Sequence, residues 1–95
     1  MKPFRPRYTP QAADQIRKLH PEVKREIRKG IRMLLTSPLS GHALQFELSG
    51  YRSYRIHTYR VIYQMNEKET MLDVVFVGPR RTVYEELRSL LQEKH

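Results

Sequence analysis

Cysteine is absent from all 95 positions. Its absence removes disulfide scaffolds, thiolate zinc sites and cysteine nucleophiles together, so stability has to come from packing. Long apolar runs are missing as well. No stretch approaches the roughly 18 apolar residues of a membrane span, and the basic start of the chain (Lys2, Arg5, Arg7) is followed by no apolar segment of a secretion signal. A soluble cytoplasmic protein with no membrane partner is expected. Gly/Ser linkers, internal repeats and low-complexity tracts are also lacking, and a chain of this length has room for one modest core, so residues 1–95 are read as a single domain. Acidic residues are scarce: ten against eighteen Lys and Arg, for a net charge of +8 and a pI near 10.1. Such a surface attracts polyanions before any specific contact forms. The excess is uneven, with 13 of the basic and 4 of the acidic residues falling in positions 1–60.

What is present divides into helical and alternating patterns. Phe4 to Tyr8 reads as a short strand that Pro3 and Pro6 push to a sheet edge. Thr9 as cap and Pro10 in the first turn start a helix striped by Ala13, Ile16 and Leu19. After His20 and Pro21, a second helix carries Val23, Ile27, Ile31, Leu34 and Leu35 at helical spacing and stops at Ser37-Pro38. The period then changes to alternation. Four strands are predicted, over Ala43–Leu48, Ser53–His57, Tyr59–Met65 and Met71–Val77, the last nearly continuous in apolar residues and therefore central. Val83, Leu87, Leu90 and Leu91 stripe a final helix. The order β, α, α, β, β, β, β, α predicts an α+β domain: two N-terminal helices and a C-terminal helix packed on one face of a mainly antiparallel twisted β-sheet.

Two segments concentrate chemistry. In Tyr54-Arg55-Ile56-His57-Thr58-Tyr59-Arg60, strand alternation puts Arg55 and His57 on one face, and a two-residue turn at Thr58-Tyr59 sets His57 opposite Arg60. The other face then turns Tyr59, Val61 and Tyr63 toward the helices. A convergence of guanidiniums suits phosphate, onto whose oxygens they fork. Solvated strand arginines are the plainer alternative. The second segment, Gly78-Pro79-Arg80-Arg81-Thr82-Val83-Tyr84, leaves the last strand for the last helix, with Tyr84 about 100° around that helix from its apolar stripe.

These segments, Tyr54-Arg55-Ile56, Tyr59-Arg60-Val61-Ile62-Tyr63, then Val77-Gly78-Pro79-Arg80 with Tyr84 four residues on, resemble the RelE/ParE superfamily of bacterial type II toxins. The similarity extends over nearly the whole chain. It implies a ribosome-associated mRNA endoribonuclease held inactive, in a toxin–antitoxin hetero-oligomer, by a cognate acidic antitoxin. Carried over position by position, the residues around the scissile phosphate are Arg55, His57, Arg60, Arg80 and Tyr84. Arg55 and His57 stand where RelE relatives carry lysine, and Pro79 where many carry histidine or lysine. ParE-type relatives, which poison DNA gyrase, tend to lack the tyrosine, so its presence favours RNA cleavage.

RNA is cut without a metal when its own 2′-hydroxyl attacks the adjacent phosphate, provided that a base, an acid and cations are supplied. His57 is the first choice of base because imidazole changes charge near neutrality, and Tyr84 is the alternative, as base or as a stacking platform. Arg60 and Arg80 are assigned to the transition-state phosphate and Arg55 to substrate phosphate or leaving group. Neither His20, His42, His57 and His95 nor Glu67, Glu69 and Asp73 show the spacing of a metal site, so no metal and no cofactor are expected. Lys24, Arg25, Arg28, Lys29 and Arg32 form either a solvated helix face or a grip on ribosomal RNA backbone. Two further readings stay open: a ParE-like inhibitor of gyrase, and a basic binding domain without activity.

Overall fold

A two-layer core, one layer on each face of a five-stranded sheet, organises the molecule. The structure is a computed structural model and describes residues 2–93; His95 lies outside the described residues. The elements run β1 (Arg5–Tyr8), α1 (Pro10–Arg17), α2 (Pro21–Thr36), β2 (His42–Ala43), a single 3-10 turn (Phe46–Leu48), β3 (Arg52–Ile56), β4 (Tyr59–Asn66), β5 (Met71–Pro79) and α3 (Val83–Glu93). Sheet order is β1-β5-β4-β3-β2, with β1 parallel to β5 and every other pairing antiparallel. The α+β architecture is the one expected.

Pro6 explains why β1 takes an edge. Arg5 donates to Thr70 and Thr9 to Val74, so the odd positions face β5, and the residue without an amide hydrogen faces away from the ladder at no cost. Thr9 also caps α1: its hydroxyl oxygen accepts from the Ala12 amide at 3.1 Å. Where β1 ends, Gln15 of α1 takes over, its side-chain oxygen accepting from the Val77 amide at 2.8 Å.

Four expectations need correction. The helices do not share one face: α1 and α2 bury Ala12, Ile16, Ile27, Ile31 and Leu34 against Val61, Tyr63, Leu72 and Val74, whereas α3 buries Val83 and Leu87 against Leu48, Ile62 and Phe76 on the other side. In α1 the buried alanine is Ala12, and Ala13 is exposed. The strand read over Ala43–Leu48 is two residues long, because Phe46 sits at a φ of 57° and folds the chain into the 3-10 turn that delivers Leu48 to the α3 layer. Finally, β4 holds the centre of the sheet, with β5 between it and β1. A bulge places two layers on β5: Ile62 pairs with Phe76 but Tyr63 with Val74, so Val75 is the extra residue and joins Phe76 on the α3 side.

Candidate functional site

The β3–β4 hairpin carries the site, and its turn lies one residue earlier than the spacing suggested. Ile56 pairs with Tyr59 and Arg55 with Arg60, which leaves His57 and Thr58 as a two-residue loop. Its first position has a φ of 55°. Histidine tolerates the left-handed region better than a β-branched threonine, so His57 leads the turn. The consequence is that Arg55, not His57, stands opposite Arg60. His57 instead projects, largely exposed, beside α2, where its Nε2 lies 3.8 Å from a Glu26 carboxylate oxygen.

Arg55 and Arg60 face the α3 side of the sheet, while Tyr54, Ile56, Tyr59, Val61 and Tyr63 face α1 and α2 as expected. Two like charges directly across a ladder repel. They are held apart by separate acceptors: Arg55 Nε donates to the His57 carbonyl at 3.1 Å, and Arg60 Nη1 to the Ser53 hydroxyl at 3.3 Å. On the other side of Arg60 its register partner is Gly78, so no side chain crowds it from β5. Arg60 Nε is buried and has no hydrogen-bond partner among the described residues. Tyr84, in the first turn of α3, reaches down to the same place and donates its hydroxyl to Ser53 at 3.0 Å. Arg80 closes the hairpin end, its amide donating to the Thr58 carbonyl at 2.6 Å, and its side chain is exposed.

The structure therefore gathers Arg55, Arg60 and Tyr84 on one sheet face with Arg80 at its margin, and separates His57 from them. None of Arg55, Arg60 and Arg80 has an acidic partner among the described residues. Ser53, which no motif in the sequence marks, is the centre of the arrangement. Among the described residues no three histidine or carboxylate side chains converge as metal ligands.

The basic residues of α2 occupy the opposite layer. Lys24 and Arg28 line a groove between α1 and α2 with Tyr8, Ala13, Ile16 and Arg17. Burial pushes the Tyr8 phenol up, against the pull of Arg28 and Arg32. Arg25 and Lys29 are exposed, one turn apart. Arg88 of α3 pairs with Glu47 of the 3-10 turn at 2.6 Å. The Glu47 carboxyl is held below the usual carboxylate range by its own backbone amide first and by Arg88 second.

Known proteins share this arrangement of elements. The family model of the ParE toxin of type II toxin–antitoxin systems, parDE, matches residues 7–84. The toxin–antitoxin complex RelBE2 of Mycobacterium tuberculosis aligns with 30% identity and a TM-score of 0.76, over 82% of this chain and 99% of that one. The isolated RelE toxin of E. coli superposes with a TM-score of 0.72 at 17% identity, over 94% and 97% of the two chains. The RelE–RelB complex of the archaeon Pyrococcus horikoshii gives 0.67 at 22% identity, over 84% and 97%. No curated protein sequence matches. With the family model spanning most of its length, the chain belongs to the ParE toxin family and is a type II toxin of the RelE/ParE superfamily.

Proposed function

We propose that this toxin is a ribosome-dependent mRNA endoribonuclease that inhibits translation in the cytoplasm. The observation that carries the reading is the cationic cluster itself: Arg55 and Arg60 paired across the hairpin, unopposed by carboxylates among the described residues, with the Tyr84 hydroxyl brought in from α3. Such a site suits a reaction in which the 2′-oxygen of RNA attacks the adjacent phosphorus and the bond to the 5′-oxygen breaks. The products are a 2′,3′-cyclic phosphate and a 5′-hydroxyl that receives the proton. Guanidiniums at Arg55, Arg60 and Arg80 neutralise the charge that builds on the phosphate oxygens. Tyr84 is the cluster's proton-handling group, and His57, on the α2 side of the hairpin tip, is assigned to substrate contact. An acidic antitoxin that covers the cluster or moves α3 silences it; the RelBE2 and RelE–RelB neighbours are themselves toxin–antitoxin complexes.

The match to the ParE model favours one second reading, a non-catalytic inhibitor of DNA gyrase built on the same scaffold. Primer extension on a defined message in programmed ribosomes separates the two. Discrete cuts in the ribosomal A site are expected with wild type, weakened about 10-fold or more in Arg80→Ala and Tyr84→Phe. Intact message from a preparation that still arrests growth, together with trapped gyrase–DNA breaks, would establish the second.

The α2 cations are assigned to ribosomal RNA backbone. Each phosphate contact contributes close to one unit to the slope of log affinity against log salt. Charge reversal at Arg25 and Lys29 is expected to flatten the slope for ribosome binding by about two units and to leave the cut positions unchanged. An unaltered slope would return this helix to the role of solvated face.

A further inference from the structure

Ser53 is 1% exposed, and it is the sole buried polar or charged residue among those described. Its side chain points into the α3 layer, whose other members are Leu48, Ile62, Phe76, Val83 and Leu87. A hydroxyl placed there is costly unless it is hydrogen-bonded. Its oxygen accepts twice, from Tyr84 Oη at 3.0 Å and from Arg60 Nη1 at 3.3 Å. One buried atom thus ties a residue of α3 to a residue of β4. These two elements have no other polar link among the described residues at this point, and they carry two of the groups assigned to the chemistry.

Among the described residues nothing else fixes the guanidinium of Arg60. Its Nε is buried without a partner among the described residues, so Nη1 alone holds the guanidinium. Without Ser53 Oγ, the group would lose its one side-chain anchor and Tyr84 its one acceptor. We propose that Ser53 is a positioning residue of the site: it sets the separation and orientation of Arg60 and Tyr84 so that both meet one phosphodiester. Ser53 itself is too buried to touch substrate. The catalytic consequence rests on the ribonuclease reading above, whereas the positioning of Arg60 does not.

In general, a misplacement of about 1 Å costs on the order of 100-fold in rate. Ser53→Ala is therefore expected to lower the single-turnover cleavage rate by about 10- to 100-fold, with less than about 3-fold change in the half-saturating ribosome concentration. Ser53→Thr, which keeps the hydroxyl, is expected to recover most of that loss. Residues that act through one another are not additive. Combining Ser53→Ala with Tyr84→Phe should thus cost clearly less than the product of the two single effects. A purely structural serine would give a product, with each loss following the fraction of protein unfolded in a parallel thermal melt.

The second measurement needs no cleavage. The Arg60 Nε–H signal is followed by NMR while a short RNA with a 2′-deoxy sugar at the scissile position is added. It is expected to shift in wild type and to respond several-fold less in Ser53→Ala. If both the cleavage rate and this response are unchanged in Ser53→Ala, the positioning role is wrong. If wild type leaves message intact and yet shows the Ser53-dependent response, the ribonuclease reading falls and the positioning role stands.

Discussion

Arg60→Ala is expected to reduce mRNA cleavage by about 100-fold or more while leaving the protein as stable as before, or slightly more so. The first half follows from where the charge is. Arg60 lies between Arg55 on β3 and the bare backbone of Gly78 on β5; its Nη1 is held by Ser53, while Nη2 is accessible and bonds to none of the described residues, so that nitrogen is free to bind an anion that the protein does not itself supply. A preorganised cation at a developing phosphate charge is worth several kcal/mol in such sites, because it needs no reorganisation when the reaction occurs. The second half follows from what Arg60 costs the fold. It opposes a like charge across the ladder and buries a donor without an acceptor, each unfavourable by up to about 1 to 3 kcal/mol. Removing it relieves both, against the loss of one hydrogen bond to Ser53. Arg60→Lys keeps the charge but loses the planar fork, and is expected to recover less than a tenth of the wild-type rate. Urea unfolding beside primer extension checks the pair. A variant whose lost activity merely tracks its unfolded fraction would make Arg60 a structural residue.

Most of this cluster was legible in the chain, and the residues that were not are those whose placement depends on turn geometry or on partners distant in sequence. Alternation along Tyr59-Arg60-Val61-Ile62-Tyr63 assigns the tyrosines and Val61 to the helices and Arg60 to the opposite face, and that is where they lie. The turn was harder. Thr-Tyr and His-Thr are equally poor matches to the Asn-Gly pattern of tight hairpins, and the choice fell to the residue that best tolerates a φ of 55°, which is His57. That shift exchanged His57 for Arg55 opposite Arg60. The two-sided core was signalled by Val74-Val75-Phe76-Val77, since a run apolar at every position belongs to a strand covered on both faces. A bulge at Val75 then gave each face its share. Ala43, Leu44, Phe46 and Leu48 alternate loosely enough to pass for a strand, but a positive φ at Phe46 is invisible to periodicity. Ser53 carried no signal at all, because a serine in a strand becomes informative only when its oxygen is seen to meet Tyr84 and Arg60.

A second large effect is expected on stability, at the connection between α2 and β2. Tyr63 is fully buried, and its hydroxyl donates to the Pro38 carbonyl at 2.7 Å and accepts from the Gly41 amide at 3.0 Å. Arg52 holds the same segment from outside, with Nη2 donating to the Gly41 carbonyl at 2.6 Å. Tyr63→Phe keeps the ring and strands two backbone groups, a loss of about 2 kcal/mol. Gly41→Ala is expected to cost more, about 3 kcal/mol, for a steric reason. A Cβ there would lie 2.5 Å from the Tyr63 hydroxyl oxygen, and 2.9 Å from both the Tyr63 ring and the backbone carbonyl oxygen of Ser53. A side chain at the end of a long stem moves aside; a carbonyl in the β2–β3 ladder does not, because His42 and Ser53 are register partners. In the double variant the missing hydroxyl removes the worst collision, so the two losses should fall short of their sum, and urea unfolding of the four proteins reads that shortfall directly. Because the remaining collision bears on the backbone of Ser53, Gly41→Ala should also displace the hydroxyl that joins Tyr84 to Arg60. Its activity, measured at temperatures where the protein is still folded, is therefore expected to fall further than that of Tyr63→Phe. Equal activities in the two folded variants would show that strain at Gly41 stops short of the site.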